Sequence, residues 1–117
     1  MKKCDRVYVP HPNFRFPTEP LYRIAQEIIY VCDTPMFDDM IAADHKHKFE
    51  GMVAKKMEDF DPETDAIAFY GDAIIFAMMV ITAYERSDII RIARYSQKLD
   101  EYVIREIDVD ENWYEYE

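Results

Sequence analysis

Apolar residues recur along this chain at three- and four-residue intervals, the spacing of a helix with one buried face. Leu21, Ile24, Ala25, Ile28, Ile29 and Cys32 share such a face and predict a first helix from Glu19 to Cys32. Phe37, Met40, Ile41, Phe49, Met52, Val53 and Phe60 predict a second from Pro35, with a bend or break expected at Asp44-His45-Lys46-His47-Lys48. A third is expected from Pro62 through Ala66-Ile67-Ala68-Phe69-Tyr70 to Tyr84, with few polar residues, as suits a helix enclosed by neighbours. The fourth starts near Ser87, a capping residue type, and carries Ile89, Ile92, Ala93, Leu99 and Val103.

Turn-forming residues support this division. Prolines follow capping-type residues at Thr18-Glu19-Pro20, Asp33-Thr34-Pro35 and Asp61-Pro62, each reading as a helix start. The only glycines are Gly51 and Gly71, and no Asn-Gly or Asp-Gly pair signals a tight hairpin, so an all-β fold is disfavoured. Glu85-Arg86-Ser87 holds neither glycine nor proline, and one long helix across it also fits. The expectation is an all-α fold: an antiparallel bundle of about four helices over residues 18–107, with an extended N-terminal arm (1–17) and an acidic aromatic C-terminal tail (108–117). In the arm, Val7 and Val9 alternate with polar neighbours and allow a short strand, while Pro10, Pro12 and Pro17 forbid a helix.

Composition adds that the chain can fold as one domain, since 50% of its 117 residues are apolar and 15% aromatic. Ala66–Tyr84 approaches a membrane span in length, but its Asp72 and the apolar faces waiting to be covered favour a buried bundle helix. Cys4 and Cys32 read as free thiols, and the polar start of the chain resembles no secretory signal, so a cytoplasmic protein is expected.

Charge is the most informative feature. The net charge is −10, and residues 99–117 hold 8 acids against 1 base, whereas residues 1–31 hold 3 acids against 5 bases. Such a balance disfavours a direct grip on nucleic acid and favours a basic protein surface as partner. In an up-down bundle one pole would gather Glu58, Asp59, Asp61, Glu63 and Asp65 with Asp100, Glu101, Glu106, Asp108, Asp110, Glu111, Glu115 and Glu117. Trp113, Tyr114 and Tyr116 would serve there as aromatic anchors.

No nucleotide loop, hydrolase elbow or zinc pattern is present, and no cofactor is expected. The best metal candidates, Asp44, His47 and Glu50, are spread 60° apart in steps around one helix and converge poorly, so a solvated face is the simpler reading. The expected function is therefore protein–protein binding, as an inhibitor, immunity or adaptor protein docking on a basic surface. Mimicry of a nucleic acid, as by small inhibitors of phages and mobile elements, is the sharper version. A homo-oligomeric structural protein and a helical enzyme with an acidic metal site are the alternatives.

Overall fold

The computed structural model describes residues 2–12, 18–32, 46–69 and 71–108, and the side chains of all of these except 46–50. Among them the chain forms a five-stranded sheet with three helices, an α/β fold in place of the expected all-α bundle. The elements are β1 (Cys4–Val9), α1 (Glu19–Ile24), β2 (Ala25–Tyr30), α2 (Lys46–Lys56), β3 (Asp65–Phe69), α3 (Ala73–Tyr84), β4 (Ile89–Ser96) and β5 (Glu101–Asp108).

Each departure from the helical expectation has a local cause. Helix α1 does start at Thr18-Glu19-Pro20, but Ala25 turns to an extended conformation and the remainder becomes β2. The Ile28-Ile29-Tyr30 run is branched and aromatic, which suits a pleated backbone. The apparent helical face from Leu21 to Cys32 thus spans two elements. Between Pro62 and Tyr84 a strand and a helix replace one helix. A strand buried on both faces reads as an unbroken apolar run, the same signature as a buried helix. The break is Gly71, at φ +72, followed by Asp72, whose carboxylate caps α3 by accepting from the Ile74 and Ile75 N–H groups.

The expected fourth helix is the β4–β5 hairpin. Its turn carries Asp100 at φ 51, a left-handed position that Asp enters more readily than most residues, so no glycine marks it. The expected arm holds β1, an interior strand paired on both sides, and Val7, Tyr8 and Val9 are fully buried.

The sheet order is β2-β1-β3-β4-β5, with β1 to β4 parallel and β5 antiparallel on the edge. Alternation along the strands builds two cores. On one face Val7, Val9, Ala66, Ala68, Ala93 and Tyr102 pack with Leu21 and Ile24 of α1. On the other Tyr8, Ile67 and Ile90 pack with Val53 and Met57 from the α2 side and with Ile75, Met79 and Ala83 of α3. The connection β1-α1-β2 therefore leaves in one direction and β3-α3-β4 in the other, with helices on opposite faces, the doubly wound arrangement. No described helix is long and apolar enough to cross a membrane, since the Ala66–Tyr84 stretch is divided between β3 and α3.

Cys4 and Tyr8 are among the titratable groups sealed in these cores. Burial pushes the Cys4 thiol up from 9.0 to about 11, with the Asp65 charge adding to it. Burial likewise raises the Tyr8 hydroxyl, which is fully buried and has no hydrogen-bond partner among the described residues. Both shifts favour the neutral form in the folded state, so the Cys4 contribution is intact below pH 9 and is lost as pH rises through about 11, and that of Tyr8 is likewise lost in alkali. Urea midpoints should hold to pH 9 and then fall. Tyr8→Phe should flatten the decline and add about 1 kcal/mol at neutral pH, because it removes an unsatisfied hydroxyl. A clear loss of stability in that variant at pH 7 would show that the hydroxyl has a partner.

Candidate functional site

Because the crossovers from β1 and β3 diverge, the carboxyl ends of these strands form a topological switch point, the place where open α/β sheets receive ligands. Here its polar groups are consumed internally. His11, buried after the end of β1, accepts the Asp72 N–H at Nε2 (2.9 Å), so Nδ1 carries the proton and donates to the Pro12 carbonyl (2.9 Å). Asp72 Oδ1 takes the N–H groups of Ile74 (2.9 Å) and Ile75 (3.0 Å). The positive end of α3 thus already holds a carboxylate, and the helix terminus offers no open seat for an anion. His11, Gly71 and Asp72 form a clamp that fixes β1 to α3.

Beside the clamp, at the carboxyl ends of β3 and β4, lies a cleft of about 650 Å³. Its lining includes Phe69 of β3, Arg94 of β4, Val103 and Arg105 of β5, and Ser96, Gln97 and Lys98 at the hairpin turn. The strand register explains the convergence. Phe69 pairs with Arg94 and Arg94 with Val103, making one row across three strands, and Arg105 lies two residues further along β5. Alternation puts Arg94 on the face of Ile90 and Ile92, the α3 side. Phe69 is held by an edge-to-face contact with Phe76 of α3, ring centroids 5.0 Å apart, yet stays 52% exposed. Tyr95 also lines the cleft, although its ring packs on Tyr102 and its hydroxyl donates to Asp100, a bond that raises its pKa.

The cations of this cleft differ from those elsewhere. Arg6 pairs with Asp65, Arg23 with Asp100 and Arg91 with Glu106, and Arg86 holds the Glu58 and Phe60 carbonyls. Arg94, Lys98 and Arg105 have no ion pair or hydrogen bond among the described residues. Sequence reading singled out none of them. The available signal was a two-residue alternation along 89–96, which places Arg94 on the Ile90 and Ile92 face.

The acids singled out from sequence fall at the opposite, amino end of the sheet. Glu58, Asp59, Asp61 and Glu63 are exposed on the turn between α2 and β3. Glu106 and Asp108 reach the same end because β5 runs antiparallel, Asp108 pairing with Ile89 at the start of β4. Asp65 is fully buried, joined to Arg6 (3.2 Å) and to the Asp61 N–H (2.8 Å), and is a structural residue out of a partner's reach. Asp100 and Glu101 sit at the other end of the hairpin, so the single acidic pole of a bundle does not form. Arg6 and Arg86 hold carbonyls of the acidic turn, at Asp59, Glu58 and Phe60, and partly neutralise it.

Asp110, Glu111, Trp113, Tyr114, Tyr116, Glu115 and Glu117 lie outside the described residues, as does Asp44. His47 and Glu50 fall on α2, their side chains outside the description. Among the described residues no three His, Cys, Asp or Glu side chains gather to hold a metal. Compared with known protein families, curated proteins and solved structures, the chain matches none.

Proposed function

We propose that the protein is a binding module whose cleft takes a small anionic ligand bearing a flat ring, of the nucleoside phosphate type. The observation that carries this is the convergence of Arg94, Lys98 and Arg105, none of them ion-paired with a described acid, around the half-exposed ring of Phe69. Two guanidinium forks suit phosphate or carboxylate oxygens, and an aromatic face suits a stacked ring. The volume falls within that of small-molecule sites.

The net charge of −10 does not cancel this attraction. Arg94 stands five residues along β4 from Ile89, about 17 Å at ~3.3 Å per residue, so the acids of the amino end lie about two screening lengths of ~8 Å from it, and at the cleft's own end Asp100 is taken up by Arg23. Titration with a nucleoside monophosphate, inorganic phosphate and a neutral nucleoside tests the reading. The monophosphate should bind best, and Arg94→Ala or Arg105→Ala should weaken it roughly 10- to 100-fold, the loss of one charge-assisted contact of about 1.5–3 kcal/mol. Equal binding of the neutral nucleoside, or indifference to both variants, would count against it.

A second reading is docking of the amino end on a basic protein surface, as an inhibitor, immunity or adaptor protein. It is favoured by the register that brings Glu106 and Asp108 beside the Glu58–Glu63 turn. Changing Glu58, Asp59, Asp61 and Glu63 to their amides separates the readings: anion binding persists under the first, and salt-sensitive binding to a basic protein disappears under the second.

A further inference from the structure

Helix α3 is twelve residues long and contains no charged side chain. Its inner face, Ile75, Met79 and Ala83, is buried against the sheet. The outer face is apolar as well: Ile74 is 52% exposed, Ile81 61% and Tyr84 49%, with exposed Ala77 among them. Positions 74, 77, 81 and 84 follow the alternating three- and four-residue steps of a helix-pairing seam. A helix apolar on all sides is one that is covered on all sides.

We infer that this seam pairs with the same seam of a second copy, the two α3 helices running antiparallel across a twofold axis. The sequence is self-complementary in that arrangement. Centred on Met79, Ile74 faces the second copy's Tyr84, and small Ala77 faces its large Ile81.

Charge selects a second copy over an unrelated apolar partner. Helix α3 starts at the carboxyl end of the sheet, beside the Arg94, Lys98 and Arg105 cleft, and ends near the acidic turn at the amino end. An antiparallel pair sets each copy's acidic end alongside the other's cationic end, and the contact itself carries no charge. Half-exposed Ile74, Ile81 and Tyr84 with the alanines offer on the order of 450 Å² per copy, so the pair would bury roughly 900 Å², the size of a weak, reversible dimer.

Sedimentation equilibrium of the full 117-residue chain from about 1 to 500 µM tests this. The mass should rise from 14.0 kDa toward twice that value with a micromolar dissociation constant. Ile81→Glu should weaken association at least 10-fold while the circular dichroism spectrum stays unchanged. Should that variant misfold, Ile74→Ser and Tyr84→Ser, both at half-exposed positions, decide the matter in the same way. A monomeric wild type over the whole range, or a dimer indifferent to folded variants of the seam, overturns the inference.

Discussion

Asp65→Ala is expected to lower stability by about 3–5 kcal/mol, the cost of stripping one member from a buried ion pair. Asp65 begins a strand in the middle of the sheet and is fully buried, while its partner Arg6 lies on the adjacent strand β1 with its side chain 28% exposed. The carboxylate also accepts the Asp61 N–H at 2.8 Å and the Thr64 hydroxyl at 3.2 Å. Removing it strips Arg6 of its carboxylate, leaving it only the Asp59 carbonyl, takes the acceptor from the Asp61 N–H, and frees the turn that carries Glu58 to Glu63. Asp65→Asn, which keeps an acceptor of the same shape, should cost distinctly less. Urea unfolding of both variants measures the difference. A loss below about 1 kcal/mol in Asp65→Ala would mean that Arg6 finds another carboxylate with little rearrangement.

Gly71→Ala is the second large effect, about 3 kcal/mol, from two causes that act together. At φ +72 any other L residue is strained by about 1 kcal/mol. The new Cβ would also stand 2.5 Å from His11 Nε2 and 2.8 Å from Cε1. The ring cannot move aside freely, because it is buried and bonded at both nitrogens, to the Pro12 carbonyl and the Asp72 N–H. Its displacement therefore adds about 1–3 kcal/mol, typical of overpacking. A double-mutant cycle isolates the clash: His11→Ala should cost stability alone yet make Gly71→Ala markedly milder. Additive effects would show that strain alone accounts for the loss. Displacement of the clamp should also disturb Phe69, two residues away, and weaken ligand binding in the cleft.

The helical parts that hold are those whose signals are local. Thr18-Glu19-Pro20 does start a helix, and the apolar run to Tyr84 does end in one, because proline geometry and apolar content act within a few residues. The Val7 and Val9 alternation does mark a strand. Local pattern could not reveal that this strand lies inside a sheet, with parallel neighbours on both sides. Strands buried on both faces lose their alternation, and Asp65–Phe69 then looks like part of a helix. The β4–β5 hairpin escaped for a similar reason, its turn resting on Asp100 in place of a glycine.

The candidate sites follow the same division. Composition determined that the chain is acidic and rich in apolar and aromatic residues, because these are sums over residues and need no geometry. Which charges meet was decided by the register alone. Antiparallel β5 carries Glu106 and Asp108 to the amino end and Arg105 toward Phe69 and Arg94, across strands far apart in the chain. Sequence reading counted Asp65 among the docking acids, and folding buried it under Arg6. Three ordinary surface cations became a cleft because the neighbours of a β-strand are chosen by pairing between distant segments, which no window along the sequence contains.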